Sequence, residues 1–377
     1  MPFSHLALCH ELELAFTVLG YAKPFPVQEQ SIPAVLAGKD LVVQAETGSG
    51  KTVAFLAPLL HLLAKNQVDR RTGSMPRALV LVPTRELAMQ VSARAIELVK
   101  HLPVAVMVRT AFGGVSVNPQ MLALRGGADL VIATPGRLLD LERQNALSLA
   151  EVRHLVLDEA DKLLDLGFMD EMTAILRLVP PDRQTLLFSA TMNTAVQGVI
   201  NAFLRAPQII QVEATPELAV AISEQAYLLP QEQKGPFLRE LLTREDWVQV
   251  LVFVASGRRA DNVVRKLGNN GIRALSLHGD KTQGARTDAI QQFRRGRLRV
   301  LVATDLIARG IDLIGLPCVI NYDLPRSARD YVHRIGRTGR AGLGGTAISL
   351  VGPDEEAHLR LIEKTVGRKI LKEILNP

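Results

Sequence analysis

The chain has 377 residues, 47% of them hydrophobic, which is enough for about two ordinary domains, each with its own core. No apolar run reaches the roughly 18 residues that a membrane span needs, and the opening MPFSHLALCHELELAF lacks the basic region and cleavage site of a secretory leader. Two cysteines, Cys9 and Cys318, are too few for a disulfide framework and share no zinc-ligand spacing, so a reducing cytoplasm is expected and a membrane partner is not.

Short apolar runs alternate with amphipathic stretches through the first half. Leu41–Gln44, Ala78–Val82, Val104–Val108, Asp129–Ala133, His154–Leu157 and Thr185–Phe188 read as strands, with helical patterns such as Val53–Ala64 and Arg85–His101 between them. Unbroken apolar strands separated by helices indicate a mostly parallel sheet covered by helices on both faces. The alternation stops near Arg205. The segment APQIIQVEATPELAVAISEQ holds two prolines and no period, and reads as a linker. Strand patterns resume at Gln249–Val254, Arg273–Leu277, Leu298–Ala303, Val319–Asn321 and Thr346–Val351, with Val263–Leu267 and Thr287–Phe293 on helices. The expected fold class is α/β in two domains, residues 1–207 and 223–377, joined by 208–222.

The net charge of +6 is unevenly spread. Residues 1–200 hold 18 Lys+Arg and 19 Asp+Glu, whereas residues 251–350 hold 17 and 7. Such a basic half fits either a polyanion partner or a solvated basic face. Arg258, Arg259, Arg294, Arg295, Arg297 and Arg299 match no motif and are read as solvated surface. Aromatic residues make up 4% of the chain, which argues against base-stacking platforms.

The stretch AETGSGKT, Ala45 to Thr52, follows the strand DLVVQ and opens a helical pattern. That context is what a phosphate-binding loop requires. Gly48 and Gly50 let backbone N–H groups turn toward phosphate oxygens, and the helix N-terminus adds partial positive charge. Lys51 can reach the β- and γ-phosphates, and the Thr52 hydroxyl can bind Mg²⁺. The second acidic element is the apolar strand HLVL ending in Asp158 and Glu159. An acid at a strand end beside a phosphate loop suits Mg²⁺, with Asp158 reaching it through water, and Glu159 can deprotonate an attacking water.

Those acids continue as Asp158-Glu159-Ala160-Asp161, and here the chain resembles the DEAD-box ATP-dependent RNA helicases, in particular the bacterial RhlE-like group. The resemblance runs over nearly the whole chain, in family order: Phe25-Pro-Val-Gln28, AETGSGKT, Pro83-Thr-Arg-Glu-Leu-Ala88, Gly113-Gly114, Thr134-Pro-Gly-Arg137, the DEAD stretch, Ser189-Ala-Thr191, Ser256, Gln283-Gly-Ala-Arg286, Ala303-Thr-Asp305, Arg309-Gly-Ile-Asp312 and His333-Arg-Ile-Gly-Arg-Thr-Gly-Arg340. It implies two RecA-like domains with ATP between them. It further implies that Gln28 reads adenine and Tyr21 stacks on it, that Asp312 touches the ribose, and that Arg337 and Arg340 act as arginine fingers. Thr84, Arg85, Gly114, Thr134 and Arg137 would hold RNA backbone in the first domain, and Gln283, Arg286, Thr304 and Arg309 in the second. Ser189 and Thr191 would couple the ATP and RNA sites.

The implied activity is RNA-stimulated ATP hydrolysis with local, non-processive opening of short duplexes. An ATP-gated RNA clamp and a DNA translocase are the rivals. Expected partners are single-stranded and duplex RNA, ribosomal or degradosome-type ribonucleoprotein, and a monomeric core. Three positions depart from the family pattern. Phe25 stands where Thr or Ser is usual, Ser256 where Thr is common, and Ile307 where a small residue is common.

Overall fold

The computed structural model describes residues 3–46, 48–66, 75–212, 222–305, 313, 315–339 and 344–375. The chain divides into two compact units, Met1–Glu213 and Ala214–Pro377. In the first, strands β1 (Leu41–Gln44), β2 (Ala78–Leu81), β3 (Val108–Ala111), β4 (Leu130–Ala133), β5 (His154–Leu157), β6 (Gln184–Ser189) and β7 (Gln208–Gln211) form one sheet in the order β3-β4-β2-β5-β6-β1-β7. Every pairing in it is parallel. Its helices are α1 (His10–Val18), α2 (Pro26–Leu36), α3 (Lys51–Lys65), α4 (Arg85–Val99), α5 (Asn118–Arg125), α6 (Pro135–Arg143), α7 (Ala160–Asp165), α8 (Met169–Leu178) and α9 (Thr194–Phe203).

In the second unit, strands β8 (Ile222–Leu228), β9 (Val250–Phe253), β10 (Ala274–Leu277), β11 (Val300–Ala303), β12 (Cys318–Asn321), β13 (Gly345–Val351) and β14 (Leu371–Ile374) form a parallel sheet in the order β10-β11-β9-β12-β13-β8-β14. Its helices are α10 (Lys234–Arg244), α11 (Gly257–Gly268), α12 (Gln283–Arg294), α13 (Ala328–Ile335) and α14 (Glu356–Val366). Numbered from its own first strand, this order is that of the first sheet. The RecA-like architecture is therefore present twice.

Strand alternation places a core on each face of both sheets. Leu41 and Val43 pack with Ala78 and Val80 on one face of the first sheet, while Val42, Leu79 and Leu81 pack on the other. In the second sheet Val250 and Val252 face one core and Leu251 and Phe253 the other. Burial on both faces is why these strands read as unbroken apolar runs.

The apolar run Val104–Val108 was expected to be a strand, but β3 starts at Val108 and runs on through Arg109 and Thr110. As an edge strand it is only partly buried, so its polar residues hid it. Gln208–Gln211, expected in the linker, pairs with β1 as the opposite edge. Parallel sheets place all strand C-terminal ends along one rim, and loops on that rim carry the site.

Candidate active site

Three neighbouring strands, β5, β6 and β1, deliver the phosphate loop, the acid pair and the Ser189–Thr191 segment to one rim. After β1, Gly48 and Gly50 adopt left-handed φ values of +82° and +92°, which a side chain would strain. Gly50 is also closely packed. A Cβ there would lie 2.6 Å from Gln28 Nε2 and 2.9 Å from Phe25 Cδ2. Gln28 is fully buried. Its Nε2 donates to the Gly50 carbonyl at 3.2 Å, and its Oε1 accepts from the Phe25 N–H at 3.0 Å. The adenine-reading candidate is thus tied to the phosphate loop through Gly50.

Lys51 and Thr52 open α3. Lys51 Nζ donates to the carbonyls of Ala45 at 2.6 Å and Glu46 at 3.2 Å. Burial holds its ammonium below the usual lysine range, against the pull of Asp158 and Glu159. Asp158 shows the converse shift. Burial, reinforced by Glu159, pushes its carboxyl up to about 7, against the opposing effect of Lys51. Its Oδ1 accepts from the Glu159 N–H at 2.9 Å. Glu159 has φ 50° and ψ 49°, a left-handed conformation that costs a non-glycine residue roughly 1–3 kcal/mol and is common at functional positions. Glu159 Oε1 accepts from Lys162 Nζ at 2.7 Å, while Oε2 is buried with no hydrogen-bond partner among the described residues.

These features fit a Mg²⁺–nucleotide group. The loop glycines leave backbone N–H groups free of side-chain bulk, a buried carboxyl is held in need of a cation, and a buried carboxylate oxygen lacks a donor. Mg²⁺ bound mainly by water and phosphate needs only one or two protein oxygens, which Asp158 and Thr52 would supply.

Asp161 forms the bridge to β6. Its Oδ2 accepts from the Thr191 hydroxyl at 3.0 Å and the Thr191 N–H at 3.2 Å. Ser189 Oγ donates to the Thr191 carbonyl at 2.7 Å. Ser189 and Thr191 are therefore joined to the acid motif by a continuous hydrogen-bond chain. Tyr21 packs edge-on against Phe16 at 5.4 Å and lies under the Arg94 guanidinium at 5.8 Å.

The remaining first-unit candidates follow β2, β3 and β4, on the other half of the same rim. Thr84 caps α4 by accepting from the Leu87 N–H at 3.3 Å. Arg85 Nη1 donates to the Gly114 carbonyl at 3.4 Å, and Gly114 has φ +75° with the guanidinium where a Cβ would sit. Thr134 precedes α6 without capping it through its side chain. Arg137 Nη2 donates to the Val115 carbonyl at 2.8 Å, and its Nη1 is buried with no hydrogen-bond partner among the described residues. Arg85, Gly114 and Arg137 thus converge on one loop.

In the second unit, Gln283 and Arg286 lie on the first turn of α12, and Thr304 follows β11. Arg337 is buried just beyond α13. Arg309, Asp312 and Arg340, and Ile307 with them, lie outside the described residues.

A profile of the DEAD/DEAH box helicases matches residues 25–199, and one of the helicase conserved C-terminal domain matches residues 233–342. The chain belongs to the DEAD-box helicases. This helicase is 40% identical over 370 residues to the ATP-dependent RNA helicase CshA of Listeria monocytogenes, across 98% of this chain and 69% of that protein. It is 41% identical over 371 residues to CshA of Streptococcus pneumoniae, with the same coverage. Among solved structures it is similar to S. cerevisiae Dbp5 bound to RNA and ADP BeF3, at 31% identity and a TM-score of 0.86, over 99% of this chain and 95% of that one. These relatives establish the family; the narrower RhlE-like grouping finds no separate support in them.

Several residues of this helicase's sites were not singled out in the sequence. Asp161 enters the sequence reading only as the tail of the acid motif and Lys162 not at all, although polar side chains so soon after the acid pair are a usable signal. Arg334 was read merely as part of the HRIGR run. It is buried, pairs with both oxygens of Asp305 at 2.5 and 2.7 Å, donates to Asn321 Oδ1 and the Asp323 carbonyl, and lies 4.9 Å from the Phe253 ring centroid. Two arginines expected to be solvated are engaged. Arg259 pairs with Asp323 at 3.1 Å, and Arg299 donates to the Trp247 and Glu245 carbonyls at 2.8 and 2.6 Å. Both satisfy backbone or buried-acid partners that a linear sequence does not reveal. Among the described residues no helix is long and apolar enough to cross a membrane.

Proposed function

We propose that the chain is an RNA-stimulated ATPase that couples hydrolysis to local, non-processive opening of short RNA duplexes and to remodelling of RNA or ribonucleoprotein. One observation carries this reading. The rim of a single sheet holds a phosphate-loop half on β1, β6 and β5 beside an arginine–glycine half on β2, β4 and β3, and the Asp161–Thr191–Ser189 chain lies in the first half, between β5 and β6.

Gly48 and Gly50 present backbone N–H groups to the phosphates, and Lys51 exchanges its loop carbonyls for phosphate oxygens. Gln28 recognises the adenine edge and Tyr21 covers its face. Asp158 and Thr52 would hold Mg²⁺, which would supply charge neutralisation at the phosphates. Glu159 accepts the proton of the water that attacks the γ-phosphorus, and ADP leaves. In our reading Arg337 and Arg340 add charge stabilisation, Asp312 holds the ribose, and RNA raises the rate by favouring the arrangement in which they do so. Thr84, Arg85, Gly114, Thr134, Arg137, Gln283, Arg286, Thr304 and Arg309 bind RNA backbone with little regard for base sequence, and 2′-hydroxyl contacts favour RNA over DNA. A cytoplasmic, monomeric core acting on ribosomal or degradosome-type ribonucleoprotein accords with this chemistry.

The test is the ATPase rate with and without single-stranded RNA, with single-stranded DNA as the control. Strong stimulation by RNA alone is expected, and equal stimulation by DNA would favour a DNA translocase. Release of a short RNA duplex in the presence of ATP separates the helicase from an ATP-gated clamp. If about six phosphates are neutralised, RNA affinity should fall with a log–log salt slope of about −4.

A further inference from the structure

The mechanism leaves unused a buried cation beside the acid pair. Lys162 opens the second half of the first turn of α7, three residues after Glu159. Its ammonium lies 2.7 Å from Glu159 Oε1, and the two side chains are 6% and 10% exposed. Glu159 itself is held in a left-handed backbone conformation with its N–H donated to Asp158. The backbone therefore fixes where the glutamate side chain starts, and Lys162 fixes where one of its oxygens ends. The other oxygen, Oε2, is buried with no hydrogen-bond partner among the described residues.

We infer that Lys162 is a positioning residue for hydrolysis: its ammonium anchors Glu159 Oε1 and so presents Oε2 to the attacking water. This rests on the assignment of Glu159 as the base. A free glutamate side chain has three torsions, and ordering it costs conformational entropy. An ion pair formed in the resting protein removes that cost from the reaction itself. It also keeps the carboxylate plane fixed where a displacement of about 1 Å can cost about 10²-fold in rate. The pairing is local, because Glu159 is the N-cap of α7 and Lys162 lies in the helix's first turn. The bland alternative is that Lys162 merely balances the charges of Asp158, Glu159 and Asp161. Removing a balancing charge would alter nucleotide binding, whereas removing a positioning contact alters the chemical step.

The experiment measures kcat and KM for ATP in the full chain at saturating single-stranded RNA, with a fluorescent ATP analogue for binding and circular dichroism for folding. Lys162→Met is expected to lower kcat about 10–100-fold with KM and analogue affinity within about twofold. Lys162→Arg, which keeps a charged donor, is expected to restore most of the rate. Glu159→Gln/Lys162→Met should be no slower than Glu159→Gln, because Lys162 acts through the carboxylate. Where Lys162→Met fails to fold, Lys162→Gln carries the same comparison. A normal kcat in the folded Lys162 variants overturns the inference, as does a loss confined to KM and affinity. Losses that multiply on the Glu159→Gln background, or no rescue by arginine, also overturn it. Normal turnover in Glu159→Gln overturns the base assignment and the inference together. A dead Glu159→Gln with an unimpaired Lys162→Met overturns the inference alone.

Discussion

In the first unit β1 is followed by Gly48, Gly50 and then Lys51 as the first residue of α3; in the second, β8 holds the matching place in an identically ordered sheet, and a short turn at Gln231–Gln233 leads to Lys234 as the first residue of α10. The two lysines occupy equivalent positions but do different work. Lys51 bonds only to carbonyls of its own loop among the hydrogen bonds described, an arrangement it can trade for phosphate oxygens. Lys234 is fully buried, 3.1 Å from the Tyr322 carbonyl and 2.5 Å from Glu355 Oε2, and so ties the end of β12 to the end of β13. The acids after the matching strands differ in the same way. In the acid pair, Glu159 Oε2 has no hydrogen-bond partner among the described residues, whereas Asp323 after β12 accepts from the Ala255 N–H at 2.8 Å and pairs with Arg259. One topology therefore supports two different rims: in the first unit the lysine and acid pair keep reactive positions open, and in the second the matching lysine and acid are both bonded into the fold. The difference lies in two glycines and in which polar groups are left unsatisfied.

The largest effect expected from this comparison concerns the second unit. Arg334 and Arg337 are three residues apart, yet Arg334 is consumed by Asp305 and the end of β12. If Arg337 is the arginine that serves hydrolysis, Arg337→Ala should cost about 10³–10⁵ in the RNA-stimulated ATPase rate while nucleotide binding persists. Arg334→Ala should instead unfold the second unit more readily, by about 3–5 kcal/mol, because it strands the buried partners of a desolvated pair. Thermal melts and ATPase rates of both variants check this. A normal stimulated rate in Arg337→Ala would remove Arg337 from the chemistry and leave Arg340 as the second unit's candidate.

Next in size is the base. Glu159→Gln should lower the stimulated rate by about 10²–10⁴-fold and leave binding of an ATP analogue and of RNA intact, as measured by equilibrium titration. The matching acid of the bonded rim, Asp323, should behave oppositely. Asp323→Asn should reduce thermal stability through Ala255 and Arg259, with any loss of rate tracking the loss of folded protein.

How much of this was visible in the sequence follows from burial. The central strands, covered on both faces, show as apolar runs, and their following loops carry the motifs, so AETGSGKT and the Asp158–Glu159 pair are found directly after β1 and β5. Edge positions were lost. β3 was shifted, β7 and β14 were missed, and so was the inner strand β8, because each mixes polar residues into a short run and shows no unbroken apolar stretch. The repeated topology was also invisible, since matching strand order leaves no mark when the connecting residues differ. Side-chain partnerships such as Lys162 with Glu159, or Arg334 with Asp305, depend on which group points inward, and residue type alone does not determine that.

A smaller effect should separate the two lysine positions. Gly50→Ala places a Cβ 2.6 Å from Gln28 Nε2 at a φ of +92°, so it should weaken ATP-analogue binding by roughly 10-fold or more, given strain of about 1–3 kcal/mol. Lys234→Met at the matching helix start should lower the melting temperature and leave analogue affinity within about twofold, since a bound state gains nothing from a side chain it does not touch. Affinity lost equally in both would mean that the bonded rim also shapes the nucleotide site.

The smallest effect concerns Phe25, the departure from the family pattern that meets the phosphate loop directly. Its N–H is held by Gln28 Oε1, which is one half of a reciprocal cap at the start of α2. The other half needs a side-chain acceptor, and phenylalanine has none. Its ring instead fills the space against Gly50. Threonine would supply the acceptor, worth about 0.5–2 kcal/mol at a helix start, and would remove the ring. Gln28 would then be held by its own helix terminus rather than by packing at the loop. Phe25→Thr is accordingly expected to raise the preference for ATP over GTP severalfold, read as the ratio of kcat/KM values. If the ratio stayed constant while affinity for both nucleotides fell together, Phe25 would act on the phosphate loop through Gly50, and base selection would rest on Gln28 and Tyr21 without it.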